Sequence, residues 1–511
     1  MKTFGRGLWP EPLRNTTRLT PFALPQTYFE KREVTMSEQT ANKGALDMMI
    51  QYFRDFKVLK ETRREYWGTQ IVNFLDCTLY FAMISIAAVF LSEDLGMSDT
   101  NAGYVITIFT SATTIFLFFS GMFTDWLGIR RSIYISMFGL LALRLGVGLI
   151  GLFPDLVPER GIVAGVLFFL MAPFMAMTMT VYQAANKRYT TKHSRSAGFN
   201  LWYLFMNIGA AAGGFLIDIV RKLLGMPNSY IFIFGVVTAV LAVLTTLLMV
   251  RSEEQLRADD EEPEEAKPKE KKEKKNPLVI AKEVVVHEAF WRLTVLITLL
   301  LGVRAVFLYM YLLMPKYWLR VIGPDAAIGT LQAINPILIV IGLVLFIPIT
   351  NKFNIFSMLV YGAMISAFSL VPLALPWQVF GGDMANAHYV MSFVCLVILS
   401  LGELVWSPKL SEYTAAVAPE GQEGTYMGLT MVPYFLAKTI ISLLSGHMLI
   451  RWVPEGIGEQ IKTGTVAFAD SPAMMWTVLA GVALAGPVIA LIFRGWFTKG
   501  ARWSGGKDLH G

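Results

Sequence analysis

Apolar runs of about 20 residues recur along almost the whole of this 511-residue chain, each long enough for a helix to cross a hydrocarbon core of about 30 Å. Backbone amides in lipid must be satisfied inside their own element, so such runs read as helices and the chain as an all-α membrane protein. Composition agrees: 54% of residues are hydrophobic and 16% charged, against about 25% charged in an average soluble domain. The net charge of +6 sits mainly beside span ends, where it reads as a topology signal and argues against a nucleic-acid partner. Cys77 and Cys395 both fall inside apolar runs, as small buried hydrophobes do, so a disulfide framework is not expected. The histidines are scattered without metal-ligand spacing and there is no P-loop pattern, so neither a metal, a cofactor nor direct use of ATP is expected.

Residues 1–45 carry no apolar core of the kind a secretory signal needs and are expected to be disordered, with a second plausible start at Met36. Over 46–66, Leu46, Met49, Ile50, Phe53, Phe56 and Leu59 recur at helical spacing between Lys and Arg, which predicts an amphipathic interfacial helix. Spans then begin near Gly68, Ala102, Ser132, Val163, Gly198 and Ser229, forming a first bundle over 67–250. Residues 251–287 hold an acidic and then a lysine-rich block with almost nothing to bury, and read as a solvated cytoplasmic linker. Further spans begin near Trp291, Ile328, Phe356, Tyr389, Tyr426 and Ala473, giving a second bundle over 288–497 and a tail over 498–511. Twelve transmembrane helices in two six-helix halves follow from this reading. Arg63, Arg64, Arg130, Arg131, Lys187, Arg188, Lys192, Arg195, Lys352, Lys409, Arg494 and Lys499 put both termini and the linker on the cytoplasmic side of a cell (inner or plasma) membrane. Arg221, Lys222 and Lys316 fall on the outer side and weaken the contrast.

The most specific local signal lies between the second and third spans: Gly121-Met122-Phe123-Thr124-Asp125-Trp126-Leu127-Gly128-Ile129-Arg130-Arg131. It resembles the G-x-x-x-D-x-x-G-x-R-R/K loop of the major facilitator superfamily. Gly121 is expected to permit close helix approach, Gly128 a tight turn, and Asp125 with Arg130 a gating charge pair that breaks when the halves rock; Arg131 completes the motif. The second-half counterpart, Asn351-Lys352-Phe353-Asn354, lacks the pattern.

Phe199 to Gly209, with Tyr203 and Asn207, is similar to the fifth-helix F-S-x-x-Y-x-x-x-N-x-G signature of proton-dependent oligopeptide transporters. Gly402-Glu403-Leu404-Val405-Trp406-Ser407-Pro408 resembles that family's tenth-helix G-E-x-x-x-S-P, followed by Ala418-Pro419 and Met427-Gly428. The resemblance implies a major facilitator fold, Asn207 and Glu403 facing a central cavity, and Glu403 meeting a positively charged substrate group. The residues agree on Glu403, since a carboxylate deep in an apolar span costs several kcal/mol unless it faces a cavity or partner, about 2.5–3.5 on insertion scales. Ser407 lies one turn further along, and a structural ion pair of Glu403 with Lys438 is the alternative.

The family's first-helix E-x-x-E-R-F-x-Y-Y is represented only by Asn73 to Phe81, in which Asp76 and Tyr80 survive and the arginine has become Cys77. The fourth-helix lysine is also missing, since nothing basic lies between Arg160 and Lys187. Arg304 and Arg144 are the buried cations left to substitute, Arg304 ahead of Arg144, which reads more readily as a lock between helices. Aromatic residues such as Trp202, Tyr203, Tyr309, Tyr311 and Trp406 are candidates for a cavity lining, though most span aromatics pack or anchor. The reading is a secondary active transporter, a proton-coupled symporter of peptide-like or other small zwitterionic or organic solutes working by alternating access, and not an enzyme. Its expected partners are a small-molecule solute, protons and the lipid bilayer, with Asp76 or Glu403 as proton carrier. Substrate-binding residues are expected to be Tyr80, Asn207, Arg304, Glu403, Trp406 and Ser407. The alternatives are a proton-driven exporter of amphipathic compounds and a non-transporting receptor or scaffold; oligomeric state is left open.

Overall fold

The computed structural model describes residues 56–191, 194–252, 288–350, 354–417 and 431–498. The extension 1–45, most of the interfacial segment, the central linker and the tail beyond 498 lie outside them, as do Asn351 to Phe353, Ala418-Pro419 and Met427-Gly428. Every long element among the described residues is helical. In the first half these are α1 (Arg64–Val89), α2 (Asp99–Leu127), α3 (Ile129–Leu152), α4 (Arg160–Tyr189), α5 (Arg195–Asp218) and α6 (Ser229–Met249). The second half holds α7 (Glu288–Leu299), α8 (Leu301–Leu312), α9 (Met314–Val321), α10 (Ile328–Thr350), α11 (Ile355–Phe368), α12 (Met384–Val417), α13 (Met431–Trp452) and α14 (Pro472–Ile492).

Eight of the described helices are long and apolar enough to cross a membrane, or ten if the bent pairs within α2 and across α7–α8 each count as one span. The apolar part of α10, Ile328–Leu343, is shorter than a span, and α13 is not among the helices counted, so the figure among the described residues stops short of twelve. Phe56–Glu61 is a short 3-10 helix and α1 starts at Arg64, so the end of the expected surface segment belongs to the first span. Glu65 is buried there, bound to Arg251 just after α6, and the Tyr66 hydroxyl donates to the Gly198 carbonyl at 3.0 Å.

Local chemistry explains the boundaries. The Ser98 hydroxyl accepts from the Asn101 amide at the start of α2, and the Asn354 side chain accepts from Ser357 at the start of α11. Gly128 takes a φ of 77°, which turns α2 into α3 in one residue. Within the first half α2 packs on α4, α1 on α5 and α3 on α6. The second half repeats the scheme, with α10 on α12, α8 on α13 and α11 on α14, as two repeats of one bundle must.

The halves meet where α2 crosses α13 and α5 crosses α10. Small residues let the backbones approach: a Cβ on Gly446 would meet the Asp99 carbonyl at 2.5 Å, and one on Gly214 the Gly329 carbonyl at 2.6 Å. Between described residues, the hydrogen bonds and ion pairs joining the halves lie at this end of the bundle or at mid-depth, including Thr110 to Ser442 (3.4 Å) and Ser111 to Thr439 (2.7 Å).

Candidate functional site

Glu403 stands at mid-depth on α12, half-buried, on the side of the second bundle that faces the first. The Asn335 side-chain amide on α10 donates to its Oε2 at 3.0 Å and to the Ser400 hydroxyl at 3.0 Å, so one buried amide fixes the carboxylate to its own helix. Arg304 on α8 lies within Coulombic range of that carboxylate, and its Cζ sits 5.0 Å from the Trp406 ring centroid, a cation–π distance. Trp406 is in turn held by a 3.1 Å hydrogen bond from its indole to the Ser366 hydroxyl and by edge contact with Phe307. The guanidinium therefore rests on a ring that is itself fixed.

Aromatic residues of the first half face this group. Tyr203 on α5 packs against Ile339, Leu343 and Leu404, and the Phe81 ring lies 5.8 Å from Tyr311. Tyr203 and Tyr311 interact electrostatically with Glu403, and Tyr311 with Tyr80. Tyr80, Tyr203, Tyr311, Arg304 and Glu403 are all half-buried. A cation, a carboxylate and several phenols thus converge from both halves, an arrangement suited to holding a polar solute with charges of both signs between aromatic faces.

Other expected residues are placed differently. Asn207 is buried and its amide donates back to the Tyr203 carbonyl at 2.9 Å, so it shapes the helix turn that carries Tyr203. Ser407 is half-buried and makes no hydrogen bond among the described residues; Lys438 forms no ion pair with Glu403. Asp76, expected in the cavity, points into the interior of the first half. Its Oδ1 accepts from Arg144 at 2.9 Å and its Oδ2 from the Tyr182 hydroxyl at 3.2 Å, with Arg144 fully buried. A carboxylate whose two oxygens are both engaged is a lock between α1, α3 and α4 in this state, the role the sequence left open for Arg144.

The superfamily-like loop is not engaged in this state. A Cβ on Gly121 would meet nothing within 4 Å, so no close helix approach depends on it here. Asp125 is exposed and unpaired among the described residues, whereas Arg130 lies 5.6 Å from the Tyr134 ring centroid; the expected charge pair is not formed. Arg131 is exposed.

Sequence reasoning missed the ionic join at the end where the halves meet. Asp99, at the start of α2, binds Lys316 at 2.8 Å and Arg320 at 2.7 Å, all three nearly buried. Asp218, at the end of α5, accepts from the Gly329 and Thr330 amides and the Thr330 hydroxyl at 2.6–2.8 Å, capping α10 from the opposite half. The lysine that weakened the topology contrast is therefore neutralised by its partner.

The family profile described as Major Facilitator Superfamily matches residues 67–442, across both halves and the linker. The chain belongs to the Major Facilitator Superfamily. Among solved structures, this superfamily member resembles an auto-inhibited POT family peptide transporter at a TM-score of 0.60 and 15% identity, covering 87% of this chain and 99% of that one. It resembles equally a protein solved for substrate recognition in proton-dependent oligopeptide transporters (TM-score 0.61, 15% identity, 85% and 98% covered). A D-xylose-proton symporter gives a TM-score of 0.63 at 13% identity, with 88% and 100% covered. At these identities the likeness concerns the fold. No curated protein matches the sequence. The chain is accordingly a multi-pass membrane protein of a transporter superfamily.

Proposed function

We propose that this protein is a secondary active transporter that moves a small zwitterionic or peptide-like organic solute together with protons by alternating access. The observation that carries the reading is Arg304 and Glu403, opposite charges held half-exposed at the interface of the halves, beneath an end where those halves are tied together. A zwitterion answers both charges at once, its carboxylate at Arg304 and its ammonium at Glu403, with Tyr80, Tyr203, Tyr311 and Trp406 forming the walls. Asn207 supports the wall at Tyr203, and Ser407 offers a free hydroxyl one turn from Glu403. The fold neighbours include a POT family transporter solved with 5-aminolevulinic acid, a small zwitterion, which supports this solute class.

The joined end is the outer one and both termini are cytoplasmic in this reading, so the state described is open to the cytoplasm. Protonation of Glu403 frees Asn335 and the substrate ammonium, and protonation of Asp76 releases Arg144; either step couples a proton to the cycle. The Gly121–Arg131 loop acts in the opposite state, where Asp125 and Arg130 come together.

The test uses purified protein in proteoliposomes, with zwitterionic peptides and amino acids offered under an imposed pH gradient and in counterflow without one. Glu403→Gln keeps size and removes charge, and is expected to abolish gradient-driven accumulation. Binding that persists with intact counterflow assigns Glu403 to the proton, and lost binding assigns it to the ammonium. If both survive, the site assignment is wrong; if wild-type protein shows no solute or proton flux, transport itself is refuted.

A further inference from the structure

A lateral groove lies on the first half near the joined end, between the start of α4 and the start of α2, with a volume of about 790 Å³. On α4, glycine stands at 161 and again at 165, one turn apart on one face, and the floor at 165 carries no side chain of its own. Met97 closes over Gly161, and a Cβ at Gly165 would touch only Val105, at 3.5 Å. The walls are Tyr104, Ile108, Val166 and Phe169, each more than two-fifths exposed on the outer surface of a membrane-spanning bundle.

The rim at the helix ends is polar. Glu159 and Arg160 stand side by side there, with Ser98 and Asn101 across the groove. Arg160 donates to the Asp94 carbonyl at 3.2 Å, and neither Glu159 nor Arg160 forms an ion pair among the described residues. Adjacent opposite charges that leave each other unpaired complement a headgroup that also carries both signs.

We infer that this groove is a binding site for one phospholipid with a primary-ammonium zwitterionic headgroup. Its phosphate meets Arg160, its ammonium meets Glu159, and one acyl chain lies over Gly165 between the apolar walls. Apolar walls at membrane depth below a charged rim match such a lipid end for end, and the volume lies within the range of about 300–1,000 Å³ usual for small-molecule sites. The site is separate from Glu403 and independent of which solute is carried.

The experiment is native mass spectrometry of the full chain, delipidated and then offered phosphatidylethanolamine, phosphatidylcholine or phosphatidylglycerol at equal concentration. Wild-type protein is expected to retain one phosphatidylethanolamine in preference to the other lipids. Arg160→Gln removes a charge-assisted contact and should weaken retention roughly tenfold. Glu159→Gln should erase the preference for the ammonium headgroup while leaving total lipid binding in place. Gly165→Leu fills the floor and should abolish the specific adduct, with Gly165→Ala, which meets only ordinary contact, as the folding control. Equal retention of all three lipids, an adduct unaffected by Gly165→Leu in folded protein, or a preference for phosphatidylglycerol would each overturn the assignment, as would displacement of the lipid by the transported solute.

Discussion

Asp99→Asn removes the charge that two cations of the opposite half share. Lys316 and Arg320 lie 2.8 and 2.7 Å from its carboxylate oxygens, with all three side chains at most 10% exposed, so in the variant both remain dehydrated with only Glu455, an exposed residue 3.6 Å from Arg320, and the Coulombic reach of Glu93 as counter-charge. Removing one partner of a buried ion pair costs about 3–5 kcal/mol, and Asn retains one acceptor, which places the effect near the lower end. About 3 kcal/mol is on the order of a hundredfold in an equilibrium constant. The penalty falls only on the state in which the halves are joined here, because separation lets water reach Lys316 and Arg320. The Asp218 join uses different helices and no shared partner, so it should not compensate. A wild-type population of about 99:1 in favour of the joined state would move to about 1:1. Spin labels at exposed Gly225 in the first half and Asp383 in the second, with Cys77 and Cys395 replaced, report the separation as a distance distribution. An unchanged distribution in folded Asp99→Asn would refute the claim that this cluster holds the end together. A sharper control is Asp99→Leu combined with Lys316→Met and Arg320→Leu: apolar replacement of a whole buried cluster is often neutral, so the joined population should return.

Arg144→Met strands the Asp76 carboxylate in the first half and should cost about 3–5 kcal/mol of stability, read as a lower unfolding midpoint, whereas Asp76→Leu with Arg144→Met should recover most of it. Failure of the double variant to recover would mean that Asp76 does more than lock α1, α3 and α4. Gly214→Val drives a side chain into the Gly329 carbonyl and Ala333, so it should shift the labelled distance towards separation with little loss of secondary structure by circular dichroism. Asp125→Asn should leave the unfolding free energy of the joined state within about 0.5 kcal/mol of wild type, since that carboxylate is exposed and unpaired among the described residues, while slowing turnover. A large loss of stability would mean that Asp125 is engaged in the joined state and would refute its reading as an unpaired carboxylate.

Much of the fold was legible because it rests on local apolar length. The expected starts at Gly68, Ala102 and Ser132 lie within a few residues of helix starts at Arg64, Asp99 and Ile129, and Ser229 and Ile328 coincide with theirs. Glu403 was legible for a related reason: a carboxylate in an apolar run is costly alone, so its presence announces a partner. The same reasoning applied to Asn335, an amide between Ile334 and Pro336, would have found the group that holds Glu403. The choice of partner was not legible. Asp76 matched a first-helix motif and was assigned to the cavity, yet Arg144 is 68 positions away in the chain and only packing of α1 on α3 and α4 brings them together. Lys316 likewise read as an orientation signal, because a topology count sees charges one at a time and cannot see that Asp99 cancels this one.

The two joins at the tied end differ in a way that bears on how the protein moves. The Asp99 cluster is nearly buried and strong only while dry, whereas the Asp218 cap engages Thr330, which is exposed, so water competes for it at all times. Opening therefore has a natural order: the α5–α10 cap exchanges its amide donors for water first, at little cost, and the α2–α13 side yields only when water reaches Asp99. Mid-depth joins offer no comparable resistance, since Thr110 with Ser442 and Ser111 with Thr439 are neutral hydroxyl pairs, each worth about 0.5–1.5 kcal/mol. The barrier to separating the halves is thus concentrated in one dehydrated charge cluster remote from Glu403. Solute charge at Arg304 and Glu403 can then influence the transition only through the helices that carry both sites, and α8 leading directly into α9 is the shortest such path, from Arg304 to Lys316 and Arg320.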